Sequence, residues 1–309
     1  MRPFSPPPKD YDSNGWGPLR PPVRVRPNYY THVFLFLMTV LTTMVAGMVF
    51  EGLNPLEDAS QFYRGLPYAG TLLAILLAHE MGHYLTARYF NMEVTLPYFI
   101  PAPPPLFFLG TLGAFIRMKS PAQHRRALLY VAAGGPIAGF CVALPAVIFA
   151  YATSSVAPIH APGSGIYFGE PLLLQLVGRL IIGPIPAGSA LHINSVGVAA
   201  WFGLLVTMFN LIPIGQLDGG HIVFALIGRQ ARYVSRVVIG ALLLMGFFFF
   251  EGWFIWAILG WLTTRAPHPV IVDQHSPLSQ RSRAIAGITL AIFVLCFMPE
   301  PISIGSFGG

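Results

Sequence analysis

The sequence predicts an all-α fold, a polytopic membrane helix bundle of about six to seven membrane segments, with a re-entrant or β-hairpin segment near residues 94–120. Three observations predict it. Of the 309 residues, 54% are hydrophobic and 10% charged, where a soluble domain carries roughly 25% charged residues. So little charge could not cover a water-facing surface, so lipid must cover much of it. Apolar runs reach the roughly 17–25 residues that a crossing requires. Residues 94–120, in contrast, break repeatedly at proline and glycine, as a spanning helix does not.

Residues 1–28 (MRPFSPPPKDYDSNGWGPLRPPVRVRPN) are too irregular for a cleavable signal and are expected to form a disordered, Pro-rich cytoplasmic tail. Residues 29–309 then form one membrane-embedded domain. A first span is expected at 32–50 and a second at 66–90, the latter containing HEMGH. After the 94–120 hairpin, a third span runs over 127–151. The connector 152–194 holds EPLLLQLVGRLII, suited to lying along the interface. A fourth span covers 195–210 and breaks at NLIP. The apolar stretch 237–262 is interrupted at Glu251 and Gly252, giving two short segments. A last span occupies 284–298.

Basic residues set an orientation. Arg20, Arg24 and Arg26 precede the first span; Arg88, Arg117, Lys119, Arg125 and Arg126 follow the second; Arg229, Arg232 and Arg236 follow the fourth. With alternating spans all three clusters share one side, the cytoplasmic one by the positive-inside bias. The formal charge of +6 is therefore explained by topology and implies no nucleic acid. Cys141 and Cys296 sit alone in apolar runs, without the spacing of a disulfide or thiolate site.

The chemistry-bearing residues collect in two places. His79 and His83 lie one helical turn apart and face one way, so both imidazoles can reach one metal, while Glu80 is placed beside them. Ionisable groups inside a span are costly and rarely idle. A zinc site needs a third protein ligand. Asp218 is the outstanding candidate, flanked by Gly219 and Gly220, which allow close approach; an N-cap for the segment that follows is its bland alternative. Gly134, Gly135 and Gly139 suggest close packing of the third span. His221 is read as a neighbour of the site or an interfacial residue, with a fourth or alternative metal ligand as the competing role. His32, His160, His192, His268 and His275 default to surface or interface positions.

HEMGH on one span and NLIPIGQLDGG (210–220) ending a later one resemble the signature motifs of the site-2 protease family. GTLGAFIRMKSP (110–121), AGGPIAGF (133–140), HPVIVD and IFVLCFMPEPI resemble further blocks of its bacterial and plastid members without a PDZ domain. The resemblance implies zinc held by His79, His83 and Asp218, Glu80 as general base, a core of the second, third and fourth spans, and a substrate-holding role for Asn210. It implies regulated intramembrane proteolysis: cleavage of peptide bonds within or next to transmembrane segments of membrane-protein substrates in a lipid bilayer. The expected location is a bacterial cell membrane, with the site towards its cytoplasmic side. The hairpin offers a sheet edge to a substrate strand that has unwound. The 152–194 connector is too short and apolar for the PDZ insertion of some relatives, and no CBS-like module is expected. A membrane zinc transporter or a non-catalytic scaffold are the competing readings. The first would line a path with several polar helices, and the second would tolerate loss of Glu80 or a ligand.

Overall fold

The computed structural model describes residues 29–104, 107–158, 164–186, 188–265, 271–273 and 276–306. The expected tail, with His160, His268 and His275, lies outside them. Helix dominates. The expected spans appear as α1 (Tyr29–Phe50), α2 (Leu66–Tyr89), α3 (Arg125–Thr153), α5 (Ser195–Leu211) and α9 (Gln280–Cys296). Between them lie α4 (Leu172–Ile181), α6 (Asp218–Ile227), α7 (Ala231–Phe248) and α8 (Gly252–Thr264). The break between α7 and α8 falls at Glu251, where the sequence places it. Among the described residues, three helical stretches are long and apolar enough to cross a membrane, namely Tyr29–Phe50, Arg125–Thr153 and Asp218–Phe248, which joins α6 to α7.

Local chemistry sets the ends. Pro67 stands in the first turn of α2, where its missing N–H costs nothing. Side chains of His124, Asn194 and Ser279 cap α3, α5 and α9 by accepting from backbone N–H groups. Helices α2, α3 and α5 pack on one another to form the centre of the molecule. Glycine brings the first two together: a Cβ on Gly82 would strike the Gly134 carbonyl, and one on Gly134 would strike Gly82 and Thr86.

An all-α description is incomplete, because short strands join distant parts of the chain. The expected hairpin is present as β1 (Tyr98–Pro101) and β2 (Thr111–Phe115), antiparallel, with Tyr98 opposite Phe115. A bridge between Val94 and Met118 closes its base. Its body lies along α1, from His32 beside Tyr98 to Thr42 and Thr43 beside Gly110. Those contacts cover about 15 Å of helix at 1.5 Å per residue, so the hairpin re-enters the bundle. The remaining strands were not anticipated: β3 (Ala122–His124) pairs in parallel with β7 (Ile271–Asp273), β4 (Ser155–Pro158) with β6 (Ser189–His192), and β5 (Ser164–Phe168) with β8 (Ile302–Ser306). They sort the ends of the bundle. The β3–β7 pair precedes α3 and α9 at one end; β4–β6, β5–β8 and the connector helix α4 gather at the other.

His32 departs from expectation. It is buried, not superficial: its Nδ1–H donates to the Pro97 carbonyl at 3.0 Å, and its ring lies 4.0 Å from that of Tyr98.

Candidate metal centre

Four residues singled out in the sequence meet in one cleft. On α2, His79 and His83 are almost completely buried, with 3% and 7% of their surfaces exposed. Their Nε2 atoms are 3.1 Å apart. Asp218 opens α6 and brings Oδ2 within 3.3 Å of His79 Nε2 and 3.2 Å of His83 Nε2. Its alternative role is not taken: the cap position belongs to Leu217, and no side chain caps that end. A Cβ on Gly219 would meet the Leu211 carbonyl, and one on Gly220 the Gly215 and Ile214 carbonyls. Only the double glycine lets the first turn of α6 fold against the end of α5 and present Asp218 to α2.

The donor set fits a metal ion. The Val131 carbonyl can only accept, so the 2.7 Å contact fixes the proton of neutral His83 on Nδ1. Its Nε2 then presents a lone pair towards His79 and the Asp218 carboxylate. Electron-rich atoms converge without a counter-charge among them, which a cation resolves. Their separations also match one tetrahedral zinc, whose bonds of about 2.0–2.1 Å would hold ligand atoms about 3.3 Å apart. Among the described residues this is the one such group of three.

Around it opens a cavity of ≈ 240 Å³, walled by Glu80, Ala114, Phe115, Ile116, Met118, Leu128, Asn210, Gln216 and His221 as well as the three candidate ligands. Glu80 is 7% exposed, and the backbone N–H of Ile116, just past β2, reaches its carboxylate. The hairpin thus forms a wall of the cleft. The Asn210 amide nitrogen stands 3.4 Å from His79 Nε2. His221 joins the cavity wall, outside the group of three. Glu170 and Glu251, two carboxylates in the later part of the chain that a different HExxH metalloprotease could recruit as third ligand, are exposed and lie outside that group.

Sequence reasoning missed what holds the ligands. A Cβ on Gly135 would collide with His83 Nε2, and one on Gly139 would press on His79 at 3.2 Å. The glycines of α3 therefore cradle the two imidazoles, beyond merely allowing helices to touch. Val131 O and Ile116 N–H were invisible because backbone groups carry no sequence signature; the AGGPIAG block was the available signal for the cradle.

The chain is similar to proteins named as zinc metalloproteases. The chain is 27% identical over 270 residues to the Arabidopsis thaliana "Probable zinc metalloprotease EGY2, chloroplastic", covering 86% of this chain and 48% of that protein. For the protein of the same name from Oryza sativa subsp. indica the figures are 28% over 301 residues, 92% and 52%. For the Arabidopsis thaliana "Probable zinc metalloprotease EGY1, chloroplastic" they are 30% over 257 residues, 81% and 44%. The chain spans about half the length of these relatives. The model of Peptidase family M50 matches residues 67–251, from the first turn of α2 through α3, α5 and α6 to the end of α7, so that every wall of the cleft lies inside it. That is more than half of the 309 residues, and on this match the chain belongs to Peptidase family M50.

Proposed function

We propose that this chain is an intramembrane zinc metalloendopeptidase that hydrolyses peptide bonds within or next to transmembrane segments of membrane proteins. The observation that carries the reading is the meeting of three electron-rich ligand atoms with one buried carboxylate in a single cleft. His79, His83 and Asp218 would hold the zinc. When bound, zinc supplies Lewis-acid chemistry at neutral pH. Glu80, beside that group and outside it, accepts a proton from the attacking water and returns it to the leaving amine. The apolar walls from Leu128, Val131, Ala132 and Met118 restrict the water around that exchange. Asn210 offers an amide to the substrate backbone.

A helical substrate hides its peptide bonds in its own hydrogen bonds, so it must unwind before it can be cut. Strand β2 runs into the cavity wall at Ala114 and Phe115, and its edge supplies hydrogen bonds to the unwound strand. In this proposal the chain crosses seven times, through α1, α2, α3, α5 (continued by the short α6), α7, α8 and α9 in turn. On this reading the cleft faces the side carrying the basic clusters. The relatives' names point to a plastid-type membrane; the bacterial cell membrane expected from the sequence gains no support from them.

The test uses purified protein in detergent, a peptide containing a transmembrane helix, and metal analysis. Wild type should hold about one zinc and cleave. Glu80→Gln should keep its zinc and lose at least about 100-fold in rate, the scale of general-base catalysis. Asp218→Ala, and likewise His79→Ala and His83→Ala, should lose zinc and activity together, because three ligands cannot spare one. Measurable cleavage by zinc-loaded Glu80→Gln would remove the general base, and full zinc in Asp218→Ala would remove the third ligand.

A further inference from the structure

We propose that His32 is a positioning residue, an anchor on α1 that sets where the hairpin wall stands relative to Glu80. Three contacts in series carry this. The Nδ1–H of His32 donates to the Pro97 carbonyl at 3.0 Å, immediately before β1. The His32 ring packs on Tyr98 with centroids 4.0 Å apart. Tyr98 in turn stacks on Phe115 across the hairpin, at 5.5 Å and 25°. Phe115 and Ile116 then line the cleft beside Glu80.

The physical need for such an anchor follows from the hairpin's construction. Two strands alone are marginally stable, and among the described residues β1–β2 makes no third-strand pairing. Its base is zipped by Lys119 N–H to Glu93 O at 2.7 Å and Thr95 N–H to Arg117 O at 3.0 Å. Its far end is held where the Tyr68 hydroxyl donates to Leu109 O at 3.2 Å. Those bonds fix the hairpin's shape and its tip. Phe36 packs edge-on against Phe99, centroids 5.1 Å apart, and such a contact can slide. The His32–Pro97 hydrogen bond is directional, so it fixes how far along α1 the strand sits. A buried imidazole in the first turn of an otherwise apolar helix is costly unless paired, and the carbonyl of a proline-interrupted strand is its partner. A small displacement at Tyr98 passes through the stacked rings to Phe115 and so to the cleft.

This inference rests on the protease reading for its kinetic arm and stands apart from it for its structural arm. Hydrogen exchange and zinc content are measured for wild type, His32→Ala and His32→Asn, whose amide N–H stands as many bonds from the backbone as His Nδ1. In His32→Ala, amides of residues 98–100 and 114–116 should exchange about tenfold faster, while α2 and α3 hold their protection. Zinc content should not change, since no ligand lies on α1. With a membrane peptide as substrate, kcat should fall about tenfold while KM stays within about threefold, the pattern of a misplaced reacting group. His32→Asn should recover most of both effects, which a merely space-filling role would not allow. Unchanged exchange at 114–116 in His32→Ala would overturn the anchor, as would faster exchange with an undiminished kcat. If the wild type cleaves no membrane peptide while exchange responds as stated, the protease reading falls and the anchoring of the wall by His32 stands.

Discussion

At the scale of single residues, the proposed site divides into groups that would carry the chemistry and groups that hold them still. His79, Glu80, His83 and Asp218 were legible in the sequence because helical geometry places i and i+4 on one face, and because charge inside an apolar run demands a reason. Gly135 was legible only as a small residue: which face of α3 meets α2, and at what height, emerges from packing. Its role gives a sharp expectation. Gly135→Ala should displace the His83 imidazole and weaken zinc binding about tenfold or more, the usual cost of disturbing a ligand's support. Gly70→Ala is the matched control, since a Cβ there meets nothing within 4 Å. Chelator competition on both proteins measures the difference; equal zinc retention would show that the imidazole can move aside without loss.

Elements were read with uneven success, and the pattern has a cause. Helices α1, α2, α3, α5 and α9 announce themselves through long apolar runs, and the α7–α8 break through a charge beside a glycine. Strands β3 and β7 are three residues each and gain their definition from partners far along the chain, so no local periodicity marks them. The β1–β2 hairpin was visible because its prolines and glycines forbid a helix. A prediction belongs to this element. Ile116→Pro removes the N–H that reaches Glu80 and stiffens the end of the strand. It should lower cleavage about tenfold or more, as the loss of a donor in an active site does, with zinc content unaltered. A helix-breaking residue near the scissile bond of the substrate should act oppositely and raise the rate. Proline variants across residues 112–118 that bind zinc and cut at the wild-type rate would dispose of β2 as the substrate edge.

For the molecule as a whole, the two sets of strand pairs give orientation a structural expression: β3 with β7 at the basic end, β4–β6 and β5–β8 at the opposite one. Lys119 and Glu57 are both exposed and lie at these opposite ends. Single cysteines there, in a background lacking Cys141 and Cys296, should react with an impermeant reagent from opposite faces of the membrane; labelling from one face would overturn the arrangement. The β5–β8 pairing also has a bearing on how the chain is made. Strand β5 emerges between α3 and α5, but its partner β8 follows α9. During synthesis, β5 must therefore wait for its partner while six further helices, α4 to α9, are made. The cleft closes earlier, once Asp218 has joined α2 and α3. The ribosome thus delivers the candidate metal centre first and the outer seam last, so a chain halted before α9 would already carry every candidate zinc ligand beneath an unfinished rim.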